Sequence, residues 1–294
     1  MSDASLDYGS APISRSPLQM ALRRFMKNRR ALVCFVLLLL IGGSCVVVPW
    51  ISPHDYTEPT FETEGPDGTY WMGRDSMGRD LFTRIFMGGR VSFAVGFLAT
   101  TVSVLIGVLY GAASGYLGGR ADSLLMRFVD VMYGMPTMLI IIIVMAFLRT
   151  RSIVIVFVVL GLFGWLTMAR IVRGQVLSIR EREFVEAARA LGVGGWSIIM
   201  RHMIPNILGP VIVYSTLSVP SMILSEAFLS FIGLGISEPD TSWGMLISDS
   251  KEFLGGDRMV WWPTVFPGSF LATTLFCLNA IGDGLRDAID VQQR

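Results

Sequence analysis

The sequence predicts an all-α membrane protein with six transmembrane helices. The chain has 294 residues, of which 52% are hydrophobic and only 16% are charged, whereas about 25% of the residues of a soluble domain are charged. Its mean hydropathy is +0.59. Six apolar runs approach or exceed the roughly 20 residues that a helix needs to cross a bilayer. These runs lie at 31–51, 91–117, 128–148, 152–172, 207–232 and 260–281.

The first run, 31–51, is predicted to be a retained transmembrane helix rather than a cleaved signal peptide. It is too long for a signal core and lacks a small-x-small cleavage site. A predicted N-terminal tail, residues 1–30, precedes it and is rich in basic side chains. These are Arg15, Arg23, Arg24, Lys27, Arg29 and Arg30.

The distribution of arginine and lysine predicts the orientation in the membrane, because cytoplasmic loops carry an excess of both. With the N-terminal tail inside, 16 of the 24 basic residues fall on the inner side. The first outer segment, 52–73, has no arginine or lysine and several acidic residues. Both termini are therefore predicted to be cytoplasmic, with 286–294 as the C-terminal tail and 52–90 as an extracytoplasmic loop.

The end of this loop is amphipathic. Leu81, Phe82, Ile85 and Phe86 share one face of a helix and predict a short helix in the outer membrane interface. An ordinary amphipathic lead-in to the second span, without a specific role, explains the pattern equally well.

The second span carries small residues at every fourth position. They are Ser103, Gly107, Gly111 and Gly115. In lipid, such a stripe lets two helix backbones approach closely, so it predicts a tight helix–helix contact within the subunit or across a dimer.

Prolines are expected to interrupt the later spans, because each removes a backbone hydrogen bond that lipid cannot replace. Pro136 lies in the third span, Pro210 and Pro220 in the fifth, and Pro263 and Pro267 in the sixth. Such interruptions favour a transporter over a simple membrane anchor.

The sequence lacks the residues that several classes of function require. A net charge of +1 argues against nucleic-acid binding, and three cysteines, all within apolar runs, predict neither disulfides nor a metal cluster. Two widely separated histidines offer little for zinc or nucleophilic catalysis. No GxxxxGK[ST] sequence occurs. We therefore expect no catalytic, metal or cofactor site in this chain.

A charged segment, 178–205, separates the fourth and fifth spans. Residues 182–189 predict a helix that the glycines beginning at Gly192 end, and a short second helix, 196–204, leads into Pro205. A DNA-binding helix-turn-helix does not fit, because both ends are tethered to the bilayer and glutamates would oppose phosphate. A compact helix presented at the membrane surface suits docking onto a soluble partner.

The same segment resembles a known family. Glu186-Ala187-Ala188, Gly192 and the ending Ile204-Pro205 are similar to the EAA motif of ABC importer permeases, although His202 stands where that motif usually has isoleucine. Further stretches extend the resemblance over nearly the whole chain and point to the C-type permease of oligopeptide and dipeptide importers. They are 72–80, 228–235, 242–244 and 282–290, the last followed by Val291 where the family has proline.

The resemblance implies the type I ABC importer permease fold, with its permease domain over 91–285. It implies that 183–198 is the coupling element that contacts an ATP-hydrolysing subunit. Glu186 would make polar contacts, Ala187 and Ala188 would pack closely, and Gly192 would form the turn. Arg189 and Trp196 are assigned to the same contact.

The implied partners are a related second permease forming a heterodimer, two ABC ATPase subunits, an extracytoplasmic peptide-binding protein and membrane lipid, with no nucleic acid. ATP and magnesium would be bound by the ATPases, not by this chain. The implied location is the bacterial inner membrane, which the chain crosses several times.

Two polar residues within spans are candidates for the substrate path. Glu226 lies in the fifth span, where a charge is costly in lipid. It would either contact a passing peptide or form a structural pair with an arginine. Asn279 in the sixth span would either line the path or hydrogen-bond another helix.

Other functions stay open at this point. Related C-type permeases carry nickel, opines or antimicrobial peptides. A secondary transporter powered by an ion gradient would be expected to show matched broken helices in two halves and would not need a coupling helix. A membrane-embedded hydrolase lacks a suitable base.

Overall fold

The computed structural model describes residues 17–54, 56, 59–60, 63–149, 151–253 and 260–289, which form helices and connecting segments without a β-strand. The helices are α1 (Pro17–Lys27), α2 (Arg29–Ile51), α3 (Leu81–Leu117), α4 (Gly119–Gly134), α5 (Thr137–Leu148), α6 (Ile153–Ile179), α7 (Glu183–Ala190), α8 (Gly195–Ile198), α9 (Ile204–Phe231), α10 (Trp243–Asp249) and α11 (Trp262–Ile289). A π-helical turn, Ile199–Met203, joins α8 to α9, and a 3₁₀ turn, Ser250–Phe253, follows α10.

The described part of the chain contains five helices that are long and apolar enough to cross a membrane. They are α2, α3, α6, the continuous rod Gly195–Phe231 and α11. A sixth span results if α4 and α5 count as one, although they are bent by 78° at a break around Pro136. The all-α membrane fold is confirmed, and so is the predicted interruption at Pro136. The orientation of the termini stays a prediction.

The predicted interfacial helix is not a separate element. Residues 81–90 are the first turns of α3, which begins where the carboxylate of Asp80 accepts a hydrogen bond from the Thr83 amide at 3.0 Å. Leu81 and Ile85 are buried in a core that includes Trp243 of α10. The apolar face therefore packs against the protein core and does not lie in the membrane interface. The prediction of a separate interfacial helix was wrong for this reason.

The expected interruptions in the fifth and sixth spans were also wrong. Pro210 and Pro220 lie inside α9, and Pro267 lies inside α11, without ending either helix. Pro263 occupies the first turn of α11, where no intrahelical N–H bond is required. Packing by neighbouring helices holds a proline-containing helix together when only one bond is missing.

Two predicted boundaries shift. The N-terminal tail 1–30 contains α1 and the start of α2, and α11 continues to Ile289, so the predicted tail 286–294 begins within a helix. Residues 1–16 and 290–294 lie outside the described residues, as do Asp55, Glu58 and Glu62 of the acidic outer loop.

The small-residue stripe of α3 forms a tight contact within the subunit. All four residues of the stripe are buried. A Cβ added to Gly107 would lie 2.6 Å from the Cβ of Met168 on α6, and one added to Gly115 would lie 3.0 Å from the carbonyl oxygen of Arg173. The predicted close approach is therefore the α3–α6 interface, which forms the centre of the bundle.

A buried ion-pair network ties the segment before α3 to the segments that follow α9. The Asp75 carboxylate accepts a hydrogen bond from Arg79 Nε at 2.9 Å and another from Arg84, and Arg79 Nη1 lies 2.5 Å from Glu238 Oε1. Asp249 at the end of α10 faces the same cluster, with its Oδ2 atom 3.7 Å from Arg84 Nη2. Burial raises the pKa of Asp249 to about 6, against the opposing effect of Arg84.

We expect Gly107→Ala to destabilise the protein by about 1–3 kcal/mol, because the new methyl group overpacks the α3–α6 contact. Gly174→Ala is the matched control, since a Cβ at Gly174 on α6 meets nothing within 4 Å. The control should be neutral or stabilising by up to ~1 kcal/mol, because alanine favours the helix. Thermal unfolding in detergent measures both, and equal melting temperatures for the two variants would contradict the contact.

Asp249 should make stability depend on pH in a defined window. Its pKa in the folded protein is about 6, above the value of about 3.9 for an unfolded chain. The folded state therefore binds this proton more tightly, so stability should rise as the pH falls from about 6 towards 4 and should level off above 6. Asp249→Asn should flatten this contribution in pH-dependent thermal unfolding. An unchanged profile would show that Asp249 is not the group responsible.

Candidate functional site

Helix α7 is seated firmly on the ends of two membrane spans. It follows α6 after a turn at residues 180–182, and its side chains Val185 and Ala188 are buried. Both belong to a core that also contains Val176 of α6, Ile198 of α8 and Met203 of the π-helical turn. This apolar contact fixes the position of α7 relative to both spans.

The opposite face of α7 is open to solvent. Glu186 and Ala187 are exposed, whereas Ala188 is buried, so the two alanines of the motif have different environments. Glu183 and Glu186 lie in the first turn and Arg189 in the last, which is the charge order that the helix dipole favours. An exposed glutamate next to a small residue leaves room for a partner to approach the backbone.

Gly192 forms the turn after α7, as its place in the motif implies. Its φ angle is +74°, a conformation that glycine adopts without a steric penalty. The Gly192 amide donates to the Arg189 carbonyl at 3.0 Å, and the Val193 amide donates to the Ala188 carbonyl at 3.0 Å. These two bonds form a Schellman motif that ends α7 sharply.

Tyr116, at the end of α3, packs against the turn that follows α7. The guanidinium of Arg189 lies 5.1 Å from the centre of the Tyr116 ring. A Cβ at Gly195 would lie 2.8 Å from Tyr116 Cε1, so glycine is required for this approach. Arg189 therefore contacts Tyr116 within the chain, while Glu186 and Ala187 have no such contact and are exposed.

The second helix of the segment does not end at Pro205, contrary to the prediction. Helix α8, the π-helical turn and α9 form one continuous helical rod over Gly195–Phe231. Pro205 lies in the first turn of α9, directly after the wider π-helical turn. Because Pro205 has no N–H to donate, a local change of helical hydrogen bonding at this point lets the helix continue.

Three large apolar side chains of the segment are exposed. Leu191 is 83% exposed, Trp196 61% and Phe184 38%. Exposed apolar groups on a rigid helix–turn are typical of a protein contact. Sequence reasoning selected Trp196 and missed Leu191 and Phe184. Leu191 directly precedes the glycine of the turn and lies outside the buried face of α7. This position was the available sign that its side chain is exposed.

Glu226 does not line an open path in this conformation. It is 0% exposed and lies among hydroxyl groups. Ser230 Oγ donates to its Oε1 at 2.7 Å and Ser92 Oγ to its Oε2 at 3.3 Å. The Trp243 amide of α10 donates to Ser92 Oγ at 3.3 Å. Among the described residues its partners are thus serines rather than an arginine, and they join α3, α9 and α10.

Asn279 lies on the exposed side of α11. Its side-chain Nδ2 donates to the Leu275 carbonyl at 2.8 Å, within the same helix. It borders a groove between α2 and α11 and is not in contact with Glu226. The structure therefore does not bring the two candidate path residues together.

A cavity that the sequence reasoning missed lies between α5, α6 and α9. Its volume is about 550 Å³. Hydroxyl groups line one side of it, and apolar side chains fill the rest. The hydroxyl-bearing residues are Thr137, Thr167, Tyr214, Ser218, Ser221 and Ser225. The spacing of the last four along α9 puts them on one face of the helix, a pattern that the sequence displays openly.

Comparisons with known proteins cover almost the entire chain. Residues 76–294 match the family described as "Binding-protein-dependent transport system inner membrane component", and residues 16–66 match the "N-terminal TM domain of oligopeptide transport permease C". Together with the long apolar helices, these matches show a multi-pass protein of the inner membrane.

Curated relatives agree along nearly their full length. The oligopeptide transport system permease protein OppC of Salmonella typhimurium is 47% identical, over 95% of this chain and 93% of its own. OppC of Haemophilus influenzae is 45% identical, over 95% of this chain and 90% of its own. The dipeptide transport system permease protein DppC of Bacillus subtilis is 41% identical, over 96% and 88%.

A solved structure shows the same fold. The inward-facing MetNI methionine ABC transporter matches with a TM-score of 0.57 and 16% identity, over 71% of this chain and 97% of that chain. At this identity the likeness concerns the fold alone, which is that of type I ABC importer permeases. The family matches and the relatives together show that this chain belongs to the ABC importer permeases, in the oligopeptide and dipeptide permease C branch.

Proposed function

We propose that this chain is the permease subunit of an ABC importer that moves oligopeptides or dipeptides across the bacterial inner membrane. The observation that carries the coupling role is the combination of a rigid seat and an exposed apolar surface on the 183–198 segment. Val185 and Ala188 hold the segment on the bundle, while Leu191 and Trp196 remain available to a partner.

In this proposal, the rigid connection between α7 and the membrane spans transmits the movement of the ATPase subunits to the membrane part. A force on α7 acts through Val185 on Ile198 and Met203, which share one core with it. Those residues belong to the rod Gly195–Phe231, so the force moves α9 as a whole. A flexible loop would absorb the same displacement, whereas close-packed interiors transmit strain.

The partners follow from this role. Two ABC ATPase subunits bind and hydrolyse ATP with magnesium, each receiving a permease coupling helix, and a related second permease completes the membrane part as a heterodimer. An extracytoplasmic peptide-binding protein delivers the substrate. In this proposal the chain has no catalytic activity and no cofactor of its own, and Glu186, Ala187 and Trp196 belong to the surface that contacts the ATPase.

The hydroxyl-lined cavity between α5, α6 and α9 is the best candidate for a substrate path. The Ser218 and Ser225 hydroxyls donate to carbonyls of their own helix. Their oxygen atoms can still accept hydrogen bonds from water, a polar substrate or a companion protein. Serine and threonine hydroxyls both donate and accept hydrogen bonds, as a peptide backbone requires. The residues that line the cavity include no carboxylate, imidazole or thiol, which favours a peptide over a metal ion such as nickel.

Glu226 and Asn279 have a different place in this proposal. Glu226 supports α10 from within the bundle and would meet a peptide only after α3, α9 and α10 separate. Asn279 lies on the α2–α11 side, away from the hydroxyl-lined cavity.

We expect Leu191→Glu to weaken docking of the ATPase subunits about tenfold, which corresponds to ~1.4 kcal/mol of binding free energy. Leu191 is 83% exposed, so the substitution should leave the thermal stability of the permease unchanged. Co-purification of the ATPase subunits and peptide-stimulated ATP hydrolysis measure the effect, with Leu191→Met as the conservative control. Full docking by the glutamate variant would contradict the coupling surface.

Filling the hydroxyl-lined cavity should block transport without uncoupling the ATPase. In the double variant Ser221→Leu and Ser225→Leu, we expect peptide uptake into proteoliposomes to fall about tenfold, because apolar side chains replace polar ones at an imperfectly covered site. ATPase docking should persist. Thr101→Leu is the control, since Thr101 is exposed and its hydroxyl donates to the Phe97 carbonyl of its own helix, as the Ser225 hydroxyl donates to the Ser221 carbonyl. Normal uptake by the double variant would exclude this path.

A further inference from the structure

Helices α2 and α11 touch along one side and leave a groove along the other. A Cβ added to Gly284 would lie 2.5 Å from the Cβ of Ala31, and the side chains of Cys34 and Cys277 are neighbours across the two helices. These two contacts lie nearly one helical turn apart on α2 and about two turns apart on α11. The two helices are therefore held together over this length, and the groove beside the contact is a fixed feature.

The groove has a volume of about 630 Å³ and an apolar floor. Val33 of α2 and Phe276 and Ala280 of α11 form part of this floor, and polar residues border it towards the end of α11. From Phe276 to Asp287 the lining follows one face of α11. Eleven residues of α-helix correspond to roughly 16 Å. This length and composition suit a lipid acyl chain lying along the protein.

The polar end of the groove lies at the level of lipid headgroups. Arg29 is the first residue of the membrane-spanning helix α2, and the Ala31–Gly284 contact sets Asp283 and Asp287 at nearly the same level. Helix α11 has 28 residues, or about 42 Å, which exceeds the roughly 30 Å of the hydrocarbon core. Its last turns therefore reach beyond the acyl chains.

Charges of both signs border this end of the groove. Arg29 and Arg30 stand on α2, and Asp283 and Asp287 stand on α11, all four exposed. Within the described part of the chain, no ion pair joins either arginine to either aspartate. A headgroup that carries both a phosphate and an ammonium group would satisfy both sides at once.

We infer that the α2–α11 groove binds a phospholipid whose headgroup is a primary ammonium, of the phosphatidylethanolamine type. The arginines would hold the phosphate, the aspartates would accept hydrogen bonds from the ammonium, and one acyl chain would lie over Val33 and Phe276. The quaternary ammonium of phosphatidylcholine cannot donate such bonds. An anionic headgroup would leave the two aspartates repelled and without a donor.

Site-directed fluorescence quenching tests this site directly. Ala272 lies one turn beyond Phe276, on the exposed side of α11 and outside the groove. Ala272→Cys, labelled with bimane, reports contact with acyl chains that carry a doxyl group, and the three native cysteines are buried away from the label. The assembled transporter is reconstituted in phosphatidylcholine vesicles, to which doxyl-labelled phosphatidylethanolamine, phosphatidylcholine or phosphatidylglycerol is added.

Half-maximal quenching should need about threefold less phosphatidylethanolamine than phosphatidylcholine, the range expected for exposed ionic contacts. In the variant Asp283→Asn with Asp287→Asn this preference should disappear, while Asp240→Asn, an exposed aspartate elsewhere, should retain it. Arg29→Gln with Arg30→Gln should weaken quenching by both phosphatidylethanolamine and phosphatidylglycerol.

Two results would overturn the inference. Equal quenching by all three lipids would mean that the groove does not select a headgroup. Stronger quenching by phosphatidylglycerol, insensitive to the aspartates, would mean that the arginines form only a general basic surface.

Discussion

The burial of Val185 and Ala188 against Ile198 and Met203 is the contact on which the arrangement of the 183–198 segment depends. This contact joins a short helix, too short to be stable by itself, to two long helices that the membrane holds in place. Because α7 is folded onto α6 and the α8–α9 rod, its outer face has a defined position. Exposed side chains such as Leu191 can therefore act as a docking surface, although they lie next to a turn.

The same rod is also fixed at its other end, where buried polar groups add to the apolar packing of residues such as Ile223 and Leu229. Glu226, Ser230 and Ser92 link α9 to α3, and the Trp243 amide adds α10 to the group. Beyond the end of α9, Arg79 reaches Glu238 and binds Asp75 of the segment before α3. An apolar seat at one end and polar links at the other allow a displacement of α7 to be felt across the whole span. Breaking buried ionic links is costly when one partner is left unpaired, so these groups are expected to move together.

The sequence was sufficient for five of the six predicted spans, for the close contact at Gly107 and Gly115, and for the αL turn at Gly192, because each depends on a local pattern. Predictions failed where tertiary packing determined the environment of a residue. Leu81 and Ile85 have the pattern of an interfacial helix but meet Trp243, a residue distant in the sequence. Pro210 and Pro220 have the pattern of a helix break, but neighbouring helices retain the α9 geometry.

The coupling segment likewise combines features that a local pattern predicts with features that depend on tertiary packing. The motif located Glu186 and Gly192, yet it could not distinguish exposed Ala187 from buried Ala188 or reveal that Arg189 packs on Tyr116. Their environments depend on how α7 is oriented against α6 and α3.

Glu226 was the most conspicuous polar residue of the spans and proved to be enclosed, while the serines of α9, each unremarkable alone, face an open cavity together. In a membrane span, a charged residue is usually noticed first, but its desolvation cost also makes burial among hydrogen-bond donors a natural solution. A lining of neutral hydroxyls, by contrast, offers hydrogen bonds without preferring either charge. Such a path would accept peptides of different side chains and leave their selection to another component of the importer.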